Sequence, residues 1–342
     1  MIKNILLIIF LSSVLLAKDE VSGLYKNNKE VKHFINYMIR TYNFKRSYLI
    51  ETFSKASKPR KFKSIKRKRK VIRGMPKGRR WWLRNSGYTR FEKAFLTKDR
   101  VLQGVKFVKR YKTLFNRIEK KLKVDKYIVA AVIGVESYYG EIVGHWEAFN
   151  MLCYKSFKKK QRAKLYKYEL ANLLLLSYRQ GLNALYLKGS TSGALGIGQL
   201  LPHNYIKYGV SFDGNKKIEP FSCPDSIATV ANFLHKKGWK FNKEVAIRTS
   251  FEGKRVTSIK ANNKKVYKIK NLKDKGFIPR KHTNVIYARA LKLKRAEFDE
   301  LWLTFYNFKI LKRYNNSNYY AMAVYELSEE IKKRVEKKDK NN

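Results

Sequence analysis

Apolar residues recur at helical spacing along most of this chain, and this periodicity is the strongest constraint on its fold. The clearest example is a predicted helix over 125–140, whose apolar face comprises Ile128, Val129, Val132, Ile133 and Val135. The same spacing predicts helices within 18–55, from the N-cap candidate Thr97 onward, and near 165–180, 224–237 and 319–331. Residues 244–300 change to short alternating runs, which predict a small β-rich region. The sequence therefore predicts an α+β fold that is predominantly α-helical.

The N-terminus has the composition of a secretory signal peptide over residues 1–17. A basic residue, Lys3, precedes an apolar run at 5–16, and Ala17 supplies a small residue for cleavage. The run is short for a bilayer-spanning helix, which needs about 17–25 apolar residues; an uncleaved anchor is the alternative. We therefore expect a periplasmic protein that begins near Lys18. No cysteine lies near the cleavage point, so a lipid anchor has no acceptor there.

The chain is strongly basic, because 77 Lys and Arg against 26 Asp and Glu give a formal net charge of +51. Thirteen of the basic residues lie between Lys58 and Arg80, where there is no acid. Such a segment suits nucleic acid, a solvated surface loop, or electrostatic capture by an anionic surface. Export disfavours nucleic acid, which is scarce outside the cytoplasm. We therefore expect no nucleic-acid partner. A solvated surface loop is the favoured interpretation of this segment, and electrostatic contact with an anionic wall or membrane surface is the alternative.

Cysteine and histidine usage predicts no metal site. The two cysteines, Cys153 and Cys223, have no CxxC companion, and the five histidines show no HxxxH spacing. In an oxidising compartment the two thiols could pair or stay separate. Their distance along the chain leaves both alternatives open.

The first candidate for chemistry is Glu136, in the string IGVESYYG near the end of the predicted helix over 125–140. A carboxyl group at the end of an apolar helix face is poorly solvated when ionised, so its pKa should rise. A carboxyl that is protonated near neutral pH is what a general acid requires. The alternatives are a buried glutamate held by a partner and a glutamate on the solvent side. Tyr138 and Tyr139 beside it suit stacking on a sugar or packing beneath one.

The second candidate is the glycine-rich string GSTSGALGIGQLLP at 189–202. Closely spaced glycines allow unusual backbone torsions and let a bulky ligand approach the main chain. Ser190 and Gln199 add hydrogen-bonding groups to that surface. The string lacks the Gly-Lys-Ser/Thr of a phosphate-binding loop and the preceding strand of a dinucleotide site. A tight structural turn is the alternative.

The third candidate is the string RYNNSNYYAMAV at 313–324. Tyr314, Asn315 and Tyr320 combine flat apolar faces with hydrogen-bonding edges, which suits a carbohydrate site. Asn315 could instead cap the helix that follows, since asparagine is a favoured N-cap residue. Aromatic residues at helical spacing also occur in cores, so a structural role for both tyrosines is the alternative.

Taken together, the three strings resemble the lytic transglycosylase B family in their order and spacing. The resemblance begins near 82–95 and covers most of the mature chain. It implies a lysozyme-like catalytic core with additional helical and small β subdomains. The implied division is a signal peptide at 1–17, an N-terminal helical region at 18–110 with the basic loop 58–80, the catalytic core at 111–240, a small β-rich subdomain at 241–300, a C-terminal helical segment at 301–335 that completes the core, and a charged tail at 336–342.

The resemblance also implies the chemistry, which is non-hydrolytic cleavage of the β-1,4 bond between N-acetylmuramic acid and N-acetylglucosamine in peptidoglycan. Glu136 would act first as acid and then as base, whereas most glycosidases divide these tasks between two carboxylates. Substrate-binding positions of the family match Arg162, Ser190, Gln199, Tyr314, Asn315 and Tyr320. We expect a monomer whose partner is the glycan strand. A wall-binding protein without activity and a hydrolysing muramidase are the alternatives.

Several positions depart from the family pattern. Gln161 stands where the family has the second of two arginines, and Leu165 stands where it has a tyrosine. Phe91 and Phe233 also replace tyrosines, and each keeps the ring while losing the hydroxyl. We therefore assign Phe91 and Phe233 to the substrate-binding set as stacking residues.

Some members of the family carry a calcium loop after the glycine-rich string, which here corresponds to SFDGNKKIEPFS at 211–222. Such loops place oxygen ligands at the first, third and fifth positions and a bidentate carboxylate at the twelfth. Here Lys217 adds a positive charge, and Ser222 stands where the carboxylate is needed. The loop is degenerate, and we expect no metal or other cofactor.

Overall fold

The computed structural model describes residues 20–59, 87–159, 161–212, 214–251, 260–295 and 299–339. The predicted signal peptide at 1–17 lies outside these residues, as do most of the basic loop and the end of the charged tail. None of the helices within the described ranges is both long and apolar enough to cross a bilayer.

Helices make up most of the described structure, as the periodicity predicted. They are α1 (Lys29–Tyr42), α2 (Arg46–Ser54), α3 (Gly87–Phe95), α4 (Lys98–Arg110), α5 (Lys112–Leu122), α6 (Lys126–Ser137), α7 (Ala148–Phe157), α8 (Ala163–Gln180), α9 (Pro202–Tyr208), α10 (Cys223–Lys236), α11 (Ile269–Lys273), α12 (Tyr306–Tyr314) and α13 (Asn318–Asp339). A short 3-10 helix at Gly23–Tyr25 precedes α1.

Side-chain caps fix the starts of the helices that position the site. Thr97 caps α4 as predicted, because its hydroxyl accepts a hydrogen bond from the Arg100 amide at 3.2 Å. Asp125 caps α6 by accepting from the Tyr127 amide at 2.9 Å. Each cap satisfies a backbone donor that the helix itself leaves unpaired and stabilises the helix by about 0.5–2 kcal/mol.

The predicted β-rich region forms a five-stranded antiparallel sheet with strand order β4-β6-β7-β3-β5. Its strands are β3 (Ala246–Phe251), β4 (Asn262–Lys268), β5 (Phe277–Pro279), β6 (Tyr287–Lys294) and β7 (Asp299–Thr304). Outside this sheet, β1 (Trp146–Glu147) pairs with β2 (Lys188–Gly189) and ties the segment after α6 to the glycine-rich string. The sheet has a separate small apolar cluster that includes Ile247, Leu272, Phe277, Leu301 and Leu303.

The larger core surrounds α6. Every residue of α6 from Tyr127 to Val135 is buried, and the helix packs against α4, α5, α10 and α13. A helix that is apolar on all sides is stable only when neighbours cover all of it. These four helices therefore hold α6 in place and fix the position of its C-terminal end, which carries Glu136.

The two cysteines lie in different surroundings and are both free. Cys153 is buried in α7, and burial raises the pKa of its thiol. Cys223 begins α10 and is partly exposed. Of the two alternatives that the sequence left open, separate thiols are the observed one.

We predict that Leu174→Ala lowers the free energy of unfolding by about 2–5 kcal/mol, because it opens a cavity in the core beneath α8. Leu174 is 0% exposed, whereas Leu165 on the same helix is 46% exposed. Leu165→Ala is the matched control and should change the free energy by less than about 0.5 kcal/mol. Urea denaturation followed by circular dichroism measures both; equal losses for the two variants would contradict this account of the core.

Candidate active site

Glu136 lies in the last turn of α6, immediately before an unusual chain reversal. Tyr138 and Tyr139 both adopt the left-handed backbone conformation, with φ of 52° and 61°, and Gly140 follows at 101°. Left-handed torsions are unfavourable for residues that carry a Cβ, and such conformations gather at functional sites. Contacts with the rest of the protein, and not the intrinsic backbone preference of these residues, therefore hold the helix end that carries Glu136.

The Glu136 carboxyl has the protonation behaviour that the sequence predicted. Burial raises its pKa from 4.5 to about 7, and the interaction with the Tyr320 hydroxyl opposes this rise in part. The residue remains partly exposed, so that a substrate can reach it. Near neutral pH both the acid and the carboxylate are populated, which suits a group that first donates and then accepts a proton.

Two tyrosines of the C-terminal string lie near the carboxyl; Tyr320 is buried and Tyr314 is partly buried. The rings of Tyr314 and Tyr320 are nearly parallel, with an interplanar angle of 8° and 6.4 Å between the ring centres. Burial raises the pKa of both phenols, and the nearby charge of Glu136 raises them further. The Tyr314 hydroxyl donates to the carbonyl oxygen of Gly198, so the tyrosines also hold the glycine-rich string in place.

Tyr205 also lies near the Glu136 carboxyl, and it was not predicted from the sequence as a site residue. It lies fully buried on α9 and donates a hydrogen bond to the Leu195 carbonyl oxygen at 2.9 Å. Burial raises the pKa of Tyr205, and Glu136 adds to that rise. Its position directly after the glycine-rich string was the available signal, but a lone aromatic residue in a short helix does not distinguish a site from a core.

The glycine-rich string is a tightly folded loop whose polar residues shape the loop itself. Ser190 Oγ accepts hydrogen bonds from the amides of Ser192 at 3.2 Å and Ala194 at 3.1 Å. Gln199 Nε2 donates to the carbonyl oxygens of Val143 at 2.8 Å and Gly196 at 2.7 Å. The bond to Val143 fastens the loop to the segment that follows α6, and the other three bonds lie within the loop. Contact of Ser190 and Gln199 with a substrate stays a prediction.

Glycine is required at the centre of this loop. Gly196 has φ of 65°, and a Cβ there would meet the carbonyl oxygen of Pro220. The close approach lets the Ile197 amide donate to that oxygen at 2.9 Å. The unusual torsions that the sequence indicated therefore serve the packing of the loop.

The structure corrects the role of Phe233. This residue is only 2% exposed, and its ring packs edge-on against Tyr208 at 5.1 Å and Tyr314 at 4.9 Å. A ring buried between two others presents no face to a sugar. Phe233 supports Tyr314 from behind, because burial decides which aromatic residues remain available for stacking.

Of the other predicted substrate-binding residues, Phe91 and Asn315 lie next to residues of the C-terminal string, whereas in the described structure Arg162 does not contact it. Phe91, on α3, is partly exposed and contacts Tyr319 at 5.7 Å between ring centres. Asn315 is exposed at the end of α12 and does not cap α13; the Ser317 hydroxyl does so, accepting from the Tyr320 amide at 3.3 Å. Arg162 is exposed at the start of α8, and within the described ranges no hydrogen bond or ring contact joins it to the C-terminal string.

The segment at 211–222 is described except for position 213, and hydrogen bonds to Asn215 and to Asp225 beyond it hold its backbone. Asn215 Oδ1 accepts from the Lys217 amide at 2.7 Å. Asp225, at the start of α10, accepts from the amides of Phe212 at 2.8 Å and Glu219 at 2.9 Å. These bonds show how the loop is held by protein groups. The expectation that it binds no calcium stays a prediction.

A family model described as the transglycosylase SLT domain matches residues 26–329 of this chain. The chain belongs to this family. The matched range contains α6 with Glu136, the glycine-rich loop at 189–202 and the C-terminal tyrosines of this chain. The resemblance that the three strings indicated is thereby confirmed.

Individual relatives agree with the family. A membrane-bound lytic murein transglycosylase B of Escherichia coli is 30% identical over 324 residues, covering 91% of this chain and 85% of that protein. The solved structure of E. coli lytic transglycosylase Slt35 with bulgecin A has a TM-score of 0.81 at 30% identity and covers 93% of this chain and 97% of its own. Soluble lytic transglycosylase SltB1 of Pseudomonas aeruginosa has a TM-score of 0.75 at 25% identity, with coverage of 89% and 99%.

These similarities confirm two of the predictions. The lysozyme-like α+β fold with a predominance of helices is the fold of the relatives. The class of enzyme, a lytic murein transglycosylase, is the class to which they belong. The individual roles of Glu136 and its neighbours are not part of these similarities and rest on the geometry described above.

We predict that Glu136→Gln becomes more stable than the unchanged protein as the pH rises. The folded pKa of about 7 exceeds the ordinary 4.5, so the stability from this carboxyl is present below about pH 4.5 and is lost as the pH rises through about 7. The difference in unfolding free energy between the two proteins should grow by about 1–3 kcal/mol from about pH 5 to about pH 8. Urea denaturation at several pH values measures it, with Glu141→Gln, an exposed neighbour, as the control. A difference that does not change with pH would contradict the raised pKa.

We also predict that Tyr320→Phe moves the loss of activity on the alkaline side to higher pH. The interaction with the Tyr320 hydroxyl lowers the pKa of Glu136, so its removal leaves the carboxyl protonated over a wider range. Tyr325→Phe is the matched control, because Tyr325 lies on the same helix and its hydroxyl donates to Ala246 at 3.0 Å. The pH dependence of kcat/KM distinguishes the two variants. A shift to lower pH in Tyr320→Phe would mean that the hydroxyl stabilises the protonated carboxyl.

Proposed function

We propose that this chain cuts peptidoglycan glycan strands between N-acetylmuramic acid and N-acetylglucosamine without consuming water, with Glu136 as its acid and base. The observation that carries the proposal is the Glu136 carboxyl, which has a pKa of about 7. It lies at the end of a buried helix, next to Tyr314 and Tyr320. The murein transglycosylase activity of the E. coli relative supports this substrate.

In the first step, Glu136 transfers its proton to the glycosidic oxygen as the bond to C1 of the muramic acid breaks. The carboxylate that results then takes the proton of the C6 hydroxyl of the same sugar, and that oxygen bonds to C1. A 1,6-anhydro ring closes, and Glu136 is protonated again. No water enters the products, so proton and bond changes balance within the substrate and one carboxyl group.

A single carboxyl fits the electrostatics of the site. Among the described residues, the influences on the pKa of Glu136 are burial and Tyr320, with no second carboxylate. Glycosidases that use two carboxylates place them on opposite sides of the bond that is cut, so that a water or the enzyme itself attacks C1. A lone carboxyl suits a nucleophile that comes from the substrate, as the C6 hydroxyl does.

We place this activity in the periplasm, with the chain acting as a monomer on the glycan strand and without a metal or other cofactor. The signal-like N-terminus supports export. The formal charge of +51 supports electrostatic attraction to the anionic wall or membrane surface, an interaction that salt weakens.

The test is digestion of purified sacculi followed by mass spectrometry of the soluble products. The unchanged protein should release muropeptides with 1,6-anhydro ends, and Glu136→Gln should release them at least about 1,000-fold more slowly because it has no proton to donate. Glu141→Gln is the matched control and should retain full activity.

Two results would overturn the proposal. Products heavier by one water would identify a hydrolysing muramidase. Binding of sacculi by the unchanged protein with no released product would identify a wall-binding protein. Pelleting of Glu136→Gln with sacculi shows in the same experiment that the variant still binds its substrate.

A further inference from the structure

Arg100, on α4, reaches the helix end that carries Glu136. Its guanidinium donates a hydrogen bond to the carbonyl oxygen of Gly134, two residues before Glu136. The same group lies over the ring of Tyr138 at 4.6 Å and over that of Phe95 at 5.3 Å. A cation at the C-terminal end of a helix interacts favourably with its unpaired carbonyls and its dipole.

Two further bonds join the same part of α4 to the chain reversal after Glu136. The Tyr138 hydroxyl donates to the carboxylate of Asp99. The Tyr139 hydroxyl donates to the backbone carbonyl oxygen of Arg100 at 2.9 Å. Asp99 and Arg100 are consecutive, and we call this pair the Asp99–Arg100 clamp. It holds the chain on both sides of Glu136, at Gly134 and at the two tyrosines.

The space available to the Tyr139 side chain is restricted by close packing against α6 and α4. A Cβ on Gly134 would lie 2.6 Å from the Tyr139 ring, and a Cβ on Gly104 would also meet its hydroxyl. Tyr139 therefore occupies a slot that two glycines leave open, one on α6 and one on α4. The sequence suggested sugar stacking or packing beneath a sugar for the YY pair, and these contacts show both rings engaged with α4.

The Asp99–Arg100 clamp is expected to contribute little to the free energy of unfolding. Arg100 Nε is buried and, within the part of the chain that the structure describes, has no hydrogen-bond partner. Buried cations with incomplete pairing contribute little stability, and apolar replacements are often tolerated. The left-handed torsions of Tyr138 and Tyr139 are themselves unfavourable. Features that stabilise poorly but fix a geometry are expected beside a reacting group.

Arg100 also leaves the chemistry of the carboxyl unchanged. A guanidinium close to Glu136 would lower its pKa and remove the proton that the first step needs. Arg100 is not among the influences on the pKa of Glu136 in the described structure. Its bond is made to the backbone of α6, so its effect on Glu136 is one of position.

We propose that Asp99 and Arg100 are positioning residues, which hold the last turn of α6 and the reversal after it so that the Glu136 carboxyl points at the glycosidic oxygen. This inference rests on the proposed function, since it concerns the same carboxyl. A misplacement of about 1 Å costs about 100-fold in rate in well-oriented reactions. Loss of the clamp should therefore lower kcat by about 10- to 100-fold and leave KM nearly unchanged.

The experiment compares Arg100→Met with Arg110→Met. Both arginines lie on α4 and contact a tyrosine ring, but Arg110 is exposed at the end of the helix, 5.5 Å from the ring of Tyr111. Release of anhydro-muropeptides from sacculi gives kcat and KM, and the pH dependence of kcat/KM is measured for each variant. We expect a lower kcat for Arg100→Met alone, with its pH profile in the same place and its melting temperature close to that of the unchanged protein.

Two further variants keep the test decisive if Arg100→Met does not fold. Arg100→Lys retains one donor and should recover part of the lost kcat. Tyr138→Phe removes the bond to Asp99 and keeps the ring under Arg100, so it should lower kcat less than Arg100→Met does.

The outcomes separate this inference from the proposed function. If the unchanged protein forms anhydro products and Glu136→Gln does not, while Arg100→Met keeps kcat within about twofold, the clamp is overturned and the function stands. A raised KM at unchanged kcat would make Arg100 a substrate contact, and a shifted pH profile would make its role electrostatic; either would overturn positioning. Absence of anhydro products from the unchanged protein would overturn the function itself.

Discussion

The burial of α6 on all sides governs the arrangement of the remaining elements. This short helix is apolar around its whole circumference, so it can exist only within a shell made by α4, α5, α10 and α13. The helices α4 and α5 directly precede α6 in the chain, whereas α10 and α13 lie about 90 and 180 residues after it. The need to cover α6 brings them together, and the C-terminal end of α6 carries Glu136, the proposed acid and base.

The site follows from this enclosure. Because the Glu136 carboxyl is largely removed from water, its ionised form is poorly stabilised and its pKa rises to about 7. The chain has 77 basic residues, yet none is among the influences on this carboxyl in the described structure. A basic protein can keep a general acid protonated only if its cations are held away from it. Arg100 is an example, because its guanidinium donates a hydrogen bond to a backbone carbonyl oxygen of α6 and not to the Glu136 carboxyl.

Three segments that are far apart in sequence interlock at this helix end. The Tyr314 hydroxyl holds the glycine-rich loop through Gly198, and Gln199 fastens that loop to Val143, just beyond the chain reversal. Tyr139 and Arg100 fasten the reversal to α4. In each link a side chain donates to a backbone carbonyl oxygen, so the positions of these segments depend on a few specific donors.

The sequence by itself determined the features that repeat locally or stand in a fixed order. Helical spacing predicted α6 and the other long helices, Thr97 predicted the start of α4, and the three strings identified the family and Glu136. Tertiary structure alone decided which side chains are covered and which distant groups meet. It buried Phe233 behind Tyr314, brought Tyr205 beside Glu136, left Cys153 and Cys223 apart, and joined Arg100 to Gly134. The physical reason is that periodicity and capping act over a few residues, whereas burial and contact between separate helices depend on the path of the whole chain.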